Sequence, residues 1–385
     1  MSKKDYFNSA TIESQQEIPC EKWHRYPPDV IPLYLAEPDF IIASEIEEAL
    51  VEAVRRGALL YHHVPETYEA MAEKIRRKNS VPAETDDILL TQGVSPGMWL
   101  SIMYTCNPGD EVILTDPMYG PFHDAVEVTP AKKVYWDLDF DAGYKFDEEG
   151  LKECITPRTK LIFICNPHNP SGRVMTKAEL KAIADIAVDH KIHIFSDELH
   201  EDIVYDGRKH ISIASLNPEI EALTMTSWGF SKTFGLAGLQ AGYLCYTNKE
   251  EMPHVKAKSK GPMRGTNSLM KEIAPLMLDD TMDWWRRDMI VHLEKLRDLT
   301  VKRLREIGDI ETPDLQGTYL LFPRFNYPMT SREMKEYLFK EARVDLSAGT
   351  VFGSRGEGHQ RICTATSETI MNEALDRIEK ALAKL

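Results

Sequence analysis

Leu161-Ile162-Phe163-Ile164-Cys165-Asn166-Pro167-His168-Asn169-Pro170-Ser171-Gly172 decides how this chain folds. Four apolar residues with no polar break read as a strand covered on both faces, because a strand open to water on one side alternates. Two Asn-Pro pairs and a glycine then end it in a rigid loop, since each proline locks φ and removes a donor. A helix signal comes next. Thr176 and Glu179 stand at capping-box spacing, and Leu180, Ile183, Ala184 and Ala187 fall on one helical face. A second apolar run follows, Ile192-His193-Ile194-Phe195. Strand, helix, strand in this order is the crossover that joins parallel strands.

The same rhythm extends outward. Upstream lie the apolar runs Ile88-Leu89-Leu90 and Val112-Ile113-Leu114, and before them a helix that opens at Ser44 with Glu47, expected as a capping box, and carries Ile46, Leu50 and Val54 on its apolar face. These runs predict a mostly parallel sheet with helices on both sides, an α/β fold, over about 44–280. Beyond Asp280 the pattern changes to a long amphipathic helix over about 283–307. Short strands near Gly317–Phe322 and His359–Cys363 follow, then a closing helix from about Glu368. The segment up to about Ile42 needs a partner, and the C-terminal part offers one. The expected division is a large domain over 43–280 and a small domain made of 1–42 with 281–385.

Bulk properties exclude several classes. With 46 Lys plus Arg against 61 Asp plus Glu, the net charge of -15 repels nucleic acid and anionic membrane surfaces. The six cysteines contain no C-x-x-C pair, which fits reduced thiols better than a zinc site or a disulfide scaffold. No apolar run reaches the ~18 residues of a membrane span, and Met1–Glu13 has no apolar core of a signal peptide, so a cytoplasmic protein is expected. A nicotinamide dehydrogenase would need G-x-G-x-x-G after an early strand, and Gly353–Gly358 has the wrong spacing and comes late. His62-His63 and the pair His190 and His193 lack companion ligands for a metal site.

Four segments fall where strands end, the edge at which open parallel sheets bind ligands. Thr91-Gln92-Gly93-Val94-Ser95-Pro96-Gly97 joins a strand to a helix, and its N–H groups suit a phosphate. In Cys165–Gly172 an Asn amide can donate to a ring oxygen. Ser196-Asp197-Glu198-Leu199-His200 places a carboxylate at a strand end, fit for a cationic ring nitrogen or for a helix cap. Ser231-Lys232-Thr233-Phe234-Gly235-Leu236-Ala237-Gly238 sets a lysine among apolar residues, where desolvation favours the neutral amine that attacks a carbonyl.

In this order the four segments resemble the class I/II aminotransferase superfamily, the fold-type I enzymes that use pyridoxal 5′-phosphate. The resemblance runs from Leu35-Ala36-Glu37-Pro38-Asp39-Phe40 to the C-terminus. It implies a large domain with a mostly parallel seven-stranded sheet in an α/β/α sandwich, a smaller α+β domain, and a homodimer with shared active sites. It assigns Lys232 as the Schiff-base lysine and proton shuttle, Asp197 to the pyridine nitrogen, and Asn169 with His200 to the ring oxygen O3′. Tyr119, in Asp116-Pro117-Met118-Tyr119-Gly120, would stack on the ring, while Gly93, Val94, Ser95 and Ser231 would hold the phosphate, with Tyr61 reaching it from the neighbouring subunit. Arg361 and Ala36 would bind the α-carboxylate of an amino-acid substrate, and a 2-oxo acid would be the second substrate.

Three positions depart from the aminotransferase pattern. Gln240 stands where many members carry a phosphate-binding arginine, Gly229 where a serine is common, and His200 where tyrosine is common. These departures, with the Cys165-Asn166-Pro167-His168-Asn169-Pro170 phrasing, resemble the cystathionine β-lyase-like C–S lyase branch. Glu37-Pro38-Asp39-Phe40 resembles ordinary aminotransferases. Transamination is therefore the expected reaction, with β-elimination that releases pyruvate, ammonia and a thiol as the alternative. Arg264, in Met263-Arg264-Gly265-Thr266-Asn267, is a candidate contact for a substrate acid or the phosphate.

Overall fold

The computed structural model describes residues 5–61, 64–260, 263 and 266–385. Its central sheet has seven strands: β1 (Ile88–Thr91), β2 (Glu111–Asp116), β3 (Lys132–Asp137), β4 (Thr159–Cys165), β5 (His193–Asp197), β6 (Thr224–Gly229) and β7 (Gly242–Cys245). They lie in the order β1-β7-β6-β5-β4-β2-β3. Every pairing from β6 across to β3 is parallel, and β7 runs antiparallel to both β1 and β6. The unbroken apolar runs are explained by cover on both faces: Val112, Ile113, Leu114 and Leu161 through Ile164 are all fully buried.

Because β7 is reversed, β1, β2, β4, β5 and β6 all end at one edge, and β7 begins there. The register pairs Cys165 with Asp197, Asp197 with Ser227, and Thr91 with Gly242. Topology alone thus gathers at one rim the Gly93 turn, Tyr119, the Asn-Pro loop, Asp197 and the Lys232 loop.

The capping box at Thr176 forms as expected on helix α1 (Lys177–His190), which buries Leu180, Ile183, Ala184 and Ala187. The one expected at Ser44 does not. In the helix Ser44–Arg55 the cap is Ala43, and Ser44 is already the first helical residue. Its hydroxyl instead meets Tyr6 and Glu45, so the spacing to Glu47 was coincidental. Val54 is also not part of the buried face, being 48% exposed.

The long helix α2 (Asp283–Ile307) occupies the expected span. Its Trp285, Met289, Leu293, Leu296 and Leu304 are at most 1% exposed, and each such side chain contributes roughly 2 kcal/mol of burial free energy. Trp285 also donates through Nε1 to the Thr233 carbonyl at 2.7 Å, tying this helix to the residue after Lys232. Ile31–Pro32 pairs in parallel with Val344–Asp345. Among the described residues, no helix is long and apolar enough to cross a membrane.

Candidate active site

A cavity of about 770 Å³ opens at the rim of the sheet, within the range of small-molecule sites. Ala36, Gly93, Val94, Ser95, Tyr119 and Asn169 line it, as do Asp197, His200, Ser231, Lys232 and Gln240. Of the residues that the resemblance assigns to cofactor or substrate, Tyr61 and Arg361 do not belong to that lining.

The Gly93 turn is shaped for an anion. Gly93 sits at φ +83°, in the left-handed region that favours glycine, and its carbonyl is drawn back by the Thr91 hydroxyl at 2.6 Å. The helix starting at Ser95 has no side-chain cap, so its first N–H groups are offered to a ligand. The turn approaches β7 so closely that a Cβ on Gly242 would stand 2.8 Å from the backbone of Gly93.

Asp197 ends β5 and is 5% exposed. Its carboxylate accepts one hydrogen bond, from the Leu199 N–H at 3.0 Å. Burial pushes its pKa up to about 7, against the pull of that N–H and of Lys232. A buried carboxylate with so little compensation suits a ligand that brings a cationic N–H. Beside it, His200 is buried edge-on to Tyr319, and its Nδ1 has no hydrogen-bond partner. Burial, reinforced by the Lys232 and Arg361 charges, drives its pKa well below the usual range and keeps it neutral.

Lys232 follows β6 in a loop held from both sides: the Thr233 hydroxyl donates to Asp202, and the Thr233 carbonyl accepts from Trp285. Its ammonium donates to the Ala36 carbonyl at 2.6 Å. Burial, with the nearby Arg361 charge adding to it, lowers the Lys232 pKa to about 8. Neutral amine is therefore accessible near physiological pH.

Arg361, 5% exposed, stands behind Asn169. Its Nη1 donates to Asn169 Oδ1 at 3.2 Å and its Nη2 to the Tyr34 carbonyl at 2.8 Å, while Nε has no partner. With Asn169 Oδ1 engaged by the guanidinium, the Asn169 amide N–H groups remain for a ligand. Tyr119, partly buried, lines the same cavity.

Tyr61, expected to serve the neighbouring subunit's site, is fully exposed and does not line this chain's cavity. Arg264, His62 and His63 lie outside the described residues. Sequence reading missed Tyr34, whose contribution is a backbone carbonyl, and Tyr319, whose hydroxyl reaches Ala36 at 3.2 Å. Neither contact leaves a sequence signal, because a carbonyl is common to every residue and the 36–319 contact spans the fold.

The aminotransferase class I and II family matches residues 34–378 of the chain. It is 33% identical to aromatic-amino-acid aminotransferase 2 of Thermococcus litoralis over 360 residues, 92% of each protein. It is 27% identical to the cystathionine beta-lyase PatB of Bacillus subtilis over 361 residues, again 92% of this chain, and 93% of that protein. Among solved structures it is similar to cystalysin from Treponema denticola, which contains pyridoxal 5′-phosphate. The TM-score there is 0.92 with 26% identity, covering 98% of this chain and 99% of that one.

Proposed function

We propose, on the premise that the chain belongs to the class I and II aminotransferase family and is a fold-type I enzyme dependent on pyridoxal 5′-phosphate, that it moves the α-amino group of an L-amino acid to a 2-oxo acid. The observation that carries this is the convergence of Lys232, Asp197 and Asn169 on one cavity at the sheet rim, with Arg361 held directly behind Asn169. The cofactor, when bound, supplies the electron sink for charge left at the substrate α-carbon.

The chain's own residues supply the rest. Asp197 would hold the ring nitrogen in its protonated form, which the buried carboxylate favours. Asn169 and His200 would meet the ring oxygen, and Tyr119 the ring face. The N–H groups of Val94 and Ser95, with Gly93 allowing the turn and Ser231 alongside, would hold the phosphate. The Arg361 guanidinium, held by the Tyr34 carbonyl and Asn169, would offer its free Nε–H and remaining Nη–H groups to the substrate carboxylate, with Ala36 beside it. Lys232, poised near neutrality, would carry the cofactor and then move the proton at the α-carbon.

Exposed Leu59, Leu60 and Tyr61, 60%, 76% and 111% accessible, form an apolar step beyond the helix Ser44–Arg55. A second copy of the chain is the occupant we assign to it, which would bring Tyr61 to the partner's phosphate site. We further propose work in the cytoplasm, which six free cysteines fit, and a division into a 43–280 domain and a domain of both chain ends.

C–S β-lyase chemistry is the second reading. Gln240 favours it, lining the cavity where many family members carry arginine, as does the similarity to a cystathionine beta-lyase. The deciding experiment is an amino-acid panel with 2-oxoglutarate, run beside cystathionine and cysteine S-conjugates. Glutamate without pyruvate or thiol supports transamination. Pyruvate, ammonia and thiol with no need for a 2-oxo acid would overturn it.

A further inference from the structure

We propose that Lys22 is a positioning residue of the active site, its ammonium fixing the Tyr34–Asp39 strap against which Arg361 and Lys232 are set. The inference rests on the cavity being the amino-acid site.

The strap is tied to the cavity on one side: Tyr34 O accepts from Arg361, and Ala36 O accepts from Lys232 and Tyr319. Its other side is tied to Lys22. The Lys22 Nζ donates to Glu37 O at 2.8 Å and to Asp39 Oδ1 at 2.8 Å, and Trp23 Nε1 donates to the same carboxylate oxygen at 2.8 Å. Adjacent carbonyls, Ala36 and Glu37, thus point to opposite anchors. Pro38 restricts Glu37 to extended conformations, so the two anchors define the strap's rotation. The Asp39 backbone is held in turn by Gln15 at its carbonyl and by Ala365 at its N–H.

The cost of this arrangement shows that packing alone does not require it. Lys22 and Asp39 side chains are 1% and 2% exposed, and a lysine so buried is rare. Desolvation opposes its charge, but Asp39, with Cys363 and Glu37 adding to it, more than compensates, leaving Lys22 above the usual lysine range. Apolar residues of similar volume fill such sites with equal or greater stability. An ammonium adds directed donors, and one of them ends on the peptide next to Ala36.

The test compares wild-type holoenzyme with Lys22→Met and with the neutral pair Lys22→Met/Asp39→Asn. The pair leaves no unpaired buried charge and keeps an acceptor for Trp23. Cofactor absorbance, Tm and the dissociation constant for 2-methylalanine are measured, the last because it carries the α-amino and α-carboxylate groups without an α-hydrogen. KM and kcat for a turned-over amino acid accompany them. The neutral pair is expected to retain the cofactor, to bind 2-methylalanine about tenfold more weakly, and to raise KM in parallel with kcat little changed. Wild-type-like binding with a lowered Tm overturns the positioning role, as does failure of both variants to fold. A wild-type protein that binds no amino acid at all overturns the site assignment itself.

Discussion

The Lys232 ammonium and the Ala36 carbonyl lie 2.6 Å apart, joining the loop after β6 to a strap 196 residues earlier in the chain. This contact fixes where the amine points, and burial fixes its charge. With a pKa near 8 against the ordinary lysine value of 10.5, folding penalises the protonated form. Between these values the unfolded chain binds the proton more tightly, so the penalty is full below about pH 8 and disappears as the pH climbs toward 10.5.

Cofactor capture by cofactor-free protein should accordingly accelerate with pH to a plateau, with a midpoint near 8, when followed by visible absorbance. In the same preparation Lys232→Met should melt higher than wild type at pH 7, and the gap should narrow by pH 10. A capture midpoint near 10 would show that the amine is not desolvated.

Arg361→Lys keeps the charge and loses the planar fork that engages Tyr34 and Asn169 together. We expect KM for amino acids to rise by about ten- to a hundredfold, since one charge-assisted hydrogen bond is worth about 1.5–3 kcal/mol. Steady-state kinetics with the cofactor absorbance unchanged would check it, and an unaltered KM would place the carboxylate elsewhere.

Gln240 lines the same cavity as the Gly93 turn, proposed to hold the phosphate, and has a positive φ of 43°. Gln240→Arg should add a charge-assisted contact and slow cofactor loss on dialysis about tenfold, less so at high salt. Equal retention at low and high salt would mean that the side chain does not reach the phosphate.

Gly242→Ala would drive a methyl into the Gly93 backbone and the Trp228 carbonyl, each 2.8 Å away, and backbone cannot yield as a side chain does. A fall in Tm of several degrees with weaker cofactor binding is expected. Gly238→Ala is the control, because its added methyl meets nothing within 4 Å. Matching melting curves for the two variants would refute the close approach.

The parallel strands, the Thr176 cap, the helix over 283–307 and the ordered motifs around Asn169, Asp197 and Lys232 were legible in the sequence, because each is local. Apolar runs, cap spacing and helical periodicity act over a few residues. The strands β3, β6 and β7 were not read. Lys132–Asp137 is half polar at the sheet edge, and Thr224–Gly229 mixes Thr, Ser and Gly in a buried strand, so neither shows a continuous apolar signal. The Ser44–Glu47 spacing misled for the converse reason: Tyr6, far away in sequence, takes the hydroxyl.

By itself, then, the sequence determined the kind of sheet and the identity of the side chains proposed to meet the cofactor. Only the tertiary structure decided how they are aimed. Reversal of β7 sets Gly242 against Gly93, Arg361 engages the Tyr34 backbone, and Lys22 reaches Glu37 from a segment with no motif. These contacts use backbone atoms and buried charges, 15 residues apart for Lys22 and Glu37 and 327 apart for Arg361 and Tyr34. Their energies depend on burial and direction, and both exist only once the chain has folded.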